Sequence, residues 1–183
     1  MNIMQDLIPA GRRNRPGRAN PMTFITIHNT GNRSKGADVK SHAAYIKGEK
    51  ATNGPVSWHY TMDEKNIYQH LPDNEDGFHA GDGNRKGIGI EICMNSDGDL
   101  QGATDMAAEL TAYLCKEHNI LVANVVQHNQ WNKTKDCPQL LRSGSSYPWD
   151  VFINKVVALL GISSPARPPQ TTKQYGTFSK ARG

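Results

Sequence analysis

The sequence predicts a single α/β domain, a central mixed β-sheet flanked by helices, with a disordered basic tail after it. Three observations carry this. Short β-branched, alternating segments take turns with segments whose apolar residues recur at helical spacing. Apolar residues make up 37% of the chain and 17 glycines bring it to an ordinary globular proportion, enough for one core without disulfides. The stretch SSPARPPQTTKQYGTFSKARG has no hydrophobic period and is rich in Pro, Ser and Thr, which places a domain over residues 1–162 and a flexible linker or tail over 163–183.

Taken in order, Phe24-Ile-Thr-Ile-His28 alternates as a strand and ends at a histidine. Asp38 is placed to cap a helix in which Val39, His42, Ala43 and Ile46 share a face and Gly48 marks the end. Ser57–Met62 and Asn66–Leu71 read as a hairpin turning through Asp63, Glu64 and Lys65. Asp73 to Gly87 is glycine-rich and reads as one long functional loop. In Gly87–Cys93, Ile88, Ile90 and Ile92 occupy one face and Gly89, Glu91 and Cys93 the other. Thr104 is expected to cap a helix running to His118 with Met106, Ala107, Leu110, Tyr113 and Leu114 inward. A strand over Leu121–Gln127 then delivers His128. Trp149, Phe152, Ile153, Val156, Val157 and Leu160 follow helical spacing, with Gly161 as the stop.

Charge and composition exclude several classes of function. The net charge of +4 equals the four cations of the tail, Arg167, Lys173, Lys180 and Arg182, so residues 1–162 are formally neutral. Arg12, Arg13, Arg15 and Arg18 cluster near the start without interleaved aromatics, which offers no stacking platform for bases, and no nucleic-acid partner is expected. The longest apolar stretch, Val156–Ile162, is far below the ~20 residues of a membrane span, so no membrane insertion is expected. The first residues lack the apolar run of a secretory signal, and synthesis in a cytoplasm is the expectation. Cys93, Cys115 and Cys137 are an odd set at irregular spacing, neither a disulfide framework nor a zinc ribbon.

His28 and His128 each follow a strand, and Cys137 lies nearby in KTKDCP. Two imidazoles and a thiolate would leave the fourth tetrahedral position of a zinc ion to water, the catalytic arrangement. The spacing alone equally allows two hydrogen-bonded histidines and a small packed thiol.

The motifs ITIHNTGN around His28, VSWHYTMDEKNIYQHLP from Val56, FHAGDGN from Phe78, GIGIEIC around Glu91 and VVQHNQWNKTKDCP ending at Pro138 occur in one order. In that order they resemble the zinc-dependent N-acetylmuramoyl-L-alanine amidases, the family of phage-lysozyme-type amidases and peptidoglycan recognition proteins, most of all its Bacillus phage endolysin branch. The resemblance implies Zn²⁺ on His28, His128 and Cys137, with Glu91 as proton acceptor and Lys135 facing the developing oxyanion. It implies substrate contacts from Trp58, His59 and His79, with a structural hydrogen-bonding role as the alternative for the two histidines. Trp58, Tyr60 and Trp131 either line a groove for glycan or peptide or pack as core aromatics. Lysozyme-type members carry a tyrosine where Trp58 stands, and close relatives continue the cysteine motif as CPHR where this chain has CPQL. The implied activity is cleavage of the amide between N-acetylmuramic acid and L-alanine in bacterial peptidoglycan. The alternative is a non-catalytic peptidoglycan-binding module of the same fold, which usually lacks the cysteine ligand. An endolysin would act on the wall after a separate protein permeabilises the membrane, and a wall-binding domain is expected downstream in a longer parent chain.

Overall fold

The computed structural model describes residues 1–142 and 147–162, so the expected tail at 163–183 lies outside the described residues. The elements are β1 (Ile3–Gln5), β2 (Phe24–Asn29), α1 (Val39–Lys47), α2 (Glu49–Asn53), β3 (Tyr60–Met62), β4 (Ile67–Gln69), β5 (Gly87–Ile92), α3 (Leu100–Glu117), β6 (Val125–Gln127), α4 (Gln139–Arg142) and α5 (Trp149–Leu160). The strands form one mixed sheet in the order β1-β4-β3-β5-β2-β6. Only the hairpin pair β3–β4 is antiparallel among its named ladders. This is the α/β domain with a mixed sheet that the sequence predicts. Among the described residues no helix is long and apolar enough to cross a membrane.

Alternation along β2 and β5 divides the two faces of the sheet. Ile25, Ile27, Ile88, Ile90 and Ile92 are wholly buried against α3 and α5, where Ala107, Leu110, Leu114, Phe152 and Val156 meet them. Each such isoleucine contributes about 1.5–3 kcal/mol by leaving water. The opposite face carries Thr26, His28, Gly89 and Glu91. Parallel register sets Thr26 beside Gly89 and His28 beside Glu91, so the chemistry-bearing side chains of two strands arrive together. A smaller core of Ile8, Ile46, Trp58 and Leu71 fills the space under α1.

Local chemistry explains most boundaries. Asp38 caps α1 by accepting from Ser41 N at 2.9 Å, and Gly161 ends α5 in the left-handed region at φ 68°. In α3 the cap is Asp99, not Thr104: its carboxylate accepts from the amides of Gln101 and Gly102, and the helix begins a turn earlier. Thr104 instead bonds back to Leu100 O at 2.7 Å inside the helix, as threonines in helices do. Tyr113, expected inward, is 44% exposed. The strand expected over Leu121–Gln127 begins only at Val125, because Val122–Asn124 makes a 3₁₀ turn and Leu121 is exposed. The hairpin strands are shorter than expected, although His59 still bonds Gly89 O and His70 bonds His59 O beyond the ladder.

Within the N-terminal arginine cluster, Arg15 makes a two-pronged pair with Glu75, and Arg18 pairs with the buried Asp76. These cations staple the first twenty residues to the long loop that follows β4.

Candidate metal centre

β2 delivers His28 and, parallel to it at the sheet edge, β6 runs into a 3₁₀ turn that begins at His128. The chain then loops out and returns at Cys137, closed by Asn129 N donating to Cys137 O at 3.1 Å. The Asn129 side chain also donates to the carbonyls of Lys133 and Lys135, which holds the loop in shape. Among the described residues, His28, His128 and Cys137 are the group whose donor atoms converge, all within 4.8 Å of one another. His28 Nδ1 lies 3.1 Å from His128 Nδ1 and 3.6 Å from Cys137 Sγ.

These separations fit a shared cation. Tetrahedral zinc with Zn–N of about 2.05 Å and Zn–S of about 2.3 Å would set two nitrogens about 3.3 Å apart and nitrogen and sulfur about 3.6 Å apart. The electrostatics point the same way. Burial holds the His28 imidazole well below its ordinary range, helped by His79 and His128, so it is a neutral donor. Burial, then the Lys135 cation, lowers His128. Burial pushes the Cys137 thiol up to about 12 and the Glu91 carboxyl up to about 8. Two acids that resist ionising in a dry pocket are the complement a dication supplies.

Glu91 stands beside His28, its Oε1 4.0 Å from His28 Nδ1, while its buried Oε2 has no protein partner. Asn29 Nδ2, Thr30 Oγ1 and His79 Nε2 are likewise buried and unpartnered. Such atoms are rare because each costs about 1–3 kcal/mol, and three of these four residues line the grooves at the site: Thr30 and Glu91 one, His79 the other. Asn29 and Thr30 were not singled out by sequence reasoning. Their signal was the polar run HNTGN directly after a buried strand.

Two grooves open at the centre. One, ≈ 570 Å³, is walled by His79, His128, Trp131 and the exposed Lys135, among others. The other, ≈ 400 Å³, is walled by Glu91, Thr30, His42, Tyr45 and Trp58. Glu91 thus borders the second groove, and His79, Trp131 and Lys135 border the first. Trp58 borders the second groove at only 5% exposure, its Nε1 donating to Thr61 Oγ1. His59 is a correction. It is fully buried, with Nδ1 accepting from Gly89 N and Nε2 at 2.8 Å from Glu75 O, so it braces the sheet and cannot touch a substrate. Of the two readings open for Tyr60 the structure shows core packing: it lies on the opposite face and its hydroxyl donates to Asp73 Oδ1 at 2.6 Å.

A mixed sheet whose parallel strands β2, β5 and β6 bring two imidazoles and a carboxylate to their carboxyl ends, beside a thiol from the following loop, defines an α/β domain with a crevice outside its strand ends. The particular family follows from comparison: the sequence profile of the N-acetylmuramoyl-L-alanine amidases matches residues 18–140, and the chain belongs to that family. It is 51% identical over 156 residues to the N-acetylmuramoyl-L-alanine amidase XlyA of Bacillus subtilis (strain 168), covering 83% of this chain and 50% of that protein. It is 46% identical over 177 residues to CwlH of the same organism, covering 94% of this chain and 65% of the relative. The chain thus spans half to about two thirds of these relatives. The catalytic domain of XlyA superposes with a TM-score of 0.78 at 49% identity, covering 85% of this chain and 99% of that domain.

Proposed function

We propose that this domain hydrolyses the amide between the lactyl group of N-acetylmuramic acid and L-alanine of the peptidoglycan stem, with zinc held by His28, His128 and Cys137. The observation that carries the reading is the convergence of those three donors beside the unpartnered Glu91 Oε2. Zinc bound there would act as a Lewis acid, lowering the pKa of water towards ~7 and favouring the ionised forms of Glu91 and Cys137.

The chain's own groups then divide the work. Glu91, held on the rigid β5 within reach of the same crevice, takes the proton of the attacking water as its oxygen bonds to the carbonyl carbon. It returns that proton to the departing nitrogen as the C–N bond breaks, leaving a muramic carboxylate and a free L-alanine amine. Lys135, on the loop stapled by Asn129, brings a cation to the negative charge that develops on the carbonyl oxygen. Trp131 shapes the groove wall, its Nε1 donating to Thr26 Oγ1 at 2.9 Å. On this reading the substrate is bacterial peptidoglycan and the protein is a cell-wall lytic enzyme of the endolysin kind. It reaches the wall once a separate protein has opened the membrane.

Purified cell walls incubated with the protein, with and without chelator, provide the test. The expected products are free L-alanine amino termini on intact glycan, lost when metal is removed. New reducing sugar ends, or turnover unaffected by full metal removal, would overturn the assignment.

A further inference from the structure

We propose that His79 is a positioning residue for the metal centre: its imidazole accepts a hydrogen bond from His28 Nε2–H and thereby keeps His28 Nδ1 free to bind metal. The inference rests on the zinc reading above and assigns His79 a task other than touching substrate.

His28 is only 1% exposed. Its Nδ1 faces the donor group, 3.1 Å from His128 Nδ1 and 3.6 Å from Cys137 Sγ. Its other nitrogen, Nε2, lies 3.1 Å from His79 Nδ1. A neutral imidazole carries one N–H, and a nitrogen that binds metal cannot hold it. The proton must sit on Nε2, where His79 Nδ1 is the acceptor in reach. Without that acceptor a buried N–H would have no partner, and the tautomer with its proton on Nδ1, which cannot bind metal, would gain ground.

The chain is built to hold His79 in this pose. Its backbone is fixed by Asn84, whose Oδ1 accepts from His79 N at 2.8 Å and from Ala80 N at 2.5 Å. The ring lies on β5 over Gly89, where a Cβ would come within 2.7 Å of its Cγ and Nδ1. Strand alternation puts a side chain at that point, and only glycine leaves room for the imidazole. Gly89 is itself fixed by its N–H bond to His59 Nδ1 at 2.9 Å, and the His59 ring packs edge-on to His79 at 5.8 Å. Gly89 therefore serves the metal centre by admitting a second imidazole. The second nitrogen of a metal-bound histidine commonly donates to a carboxylate or a backbone carbonyl. An imidazole acceptor fixes the tautomer without adding negative charge; its own proton then sits on the buried Nε2, and the Gly87 backbone is the hydrogen-bonding group beside that ring.

The test measures zinc affinity by competition with a chromophoric chelator, together with the visible spectrum of the cobalt(II)-loaded protein, for wild type, His79→Ala, His79→Asn and Gly89→Ala. His79→Ala is expected to weaken zinc binding by about 10–100-fold and to alter the cobalt spectrum. His79→Asn, whose amide oxygen stands close to the position of Nδ1, is expected to recover most of the loss. Gly89→Ala, which keeps His79 but displaces its ring, is expected to behave like His79→Ala. Wild-type zinc affinity in His79→Ala, or an equal loss in the Ala and Asn variants, would overturn the proposal, as would a change confined to KM. Failure of the metal reading is separate: it would show as no zinc bound by wild type, or as full affinity in Cys137→Ser.

Discussion

At the scale of single residues, the site is a set of groups kept in protonation states they would not choose in water. Glu91 has a carboxyl raised to about 8 by burial, and its Oε2 has no protein partner to compensate. Such a group changes protonation easily when charge arrives beside it, which suits a proton carrier. Glu91→Gln preserves the shape and removes the basicity. Turnover of small muropeptides is expected to fall roughly 10²–10⁴-fold with bound zinc unchanged, measured by steady-state kinetics alongside elemental analysis. On the proposed mechanism, Lys135→Ala is expected to cost roughly 10²–10³ in kcat, and the double variant less than the product of the two, as for groups acting on one transition state. A Glu91→Gln enzyme with wild-type turnover would transfer the proton-carrying role elsewhere.

At the scale of elements, caps and registers decide where these groups stand. The Asp99 carboxylate meets the amides of Gln101 and Gly102, so Asp99→Ala is expected to cost about 1 kcal/mol in urea unfolding, with zinc content untouched. If the capping role belonged to Thr104, that variant would be neutral. This exchange of caps shows what the sequence could reveal. α1, the hairpin, β2, β5 and α5 were legible because alternation or helical spacing is strong there and the stop residues are unambiguous. β1 was not, since it has three residues and exists only through its parallel pairing with β4. The same division holds at the site. The convergence of His28, His128 and Cys137 could be anticipated from family motifs, whereas the burial of His59 depends on a bond to Gly89 across the sheet, which no local pattern records. His79 was noticed, but its partner is 51 residues away in sequence.

At the scale of the whole molecule, the fold stores several imidazoles in the neutral form. His59 and His70 are fully buried and His42 nearly so, and burial lowers all three, His70 to about 4. Their surroundings offer acceptors but little water: Glu75 O for His59, Thr61 Oγ1 for His70 and Asp38 O for His42. In the unfolded chain the same rings take up protons near pH 6.5. Below that value the unfolded state binds more protons than the folded one, so stability must fall as the medium is acidified, and it keeps falling until each folded pKa is reached. These three contribute a slope of up to about 4 kcal/mol per pH unit between pH 6 and their folded values; with metal removed His28, His79 and His128 add in the same direction, and Glu91, raised to about 8, opposes by up to about 1.4 kcal/mol per pH unit. Residues 163–183 carry four cations, no acid and no hydrophobic period, so their removal is expected to leave this profile and the midpoint unchanged. Urea midpoints measured from pH 7.5 to 4.5, with chelator present so that acid release of metal does not contribute, should drop steeply below pH 6.5 in both the full chain and the 1–162 fragment. A flat profile would mean that these histidines find water or a counter-charge in the folded state. A lower midpoint for the fragment at neutral pH would mean that the last residues pack on the domain.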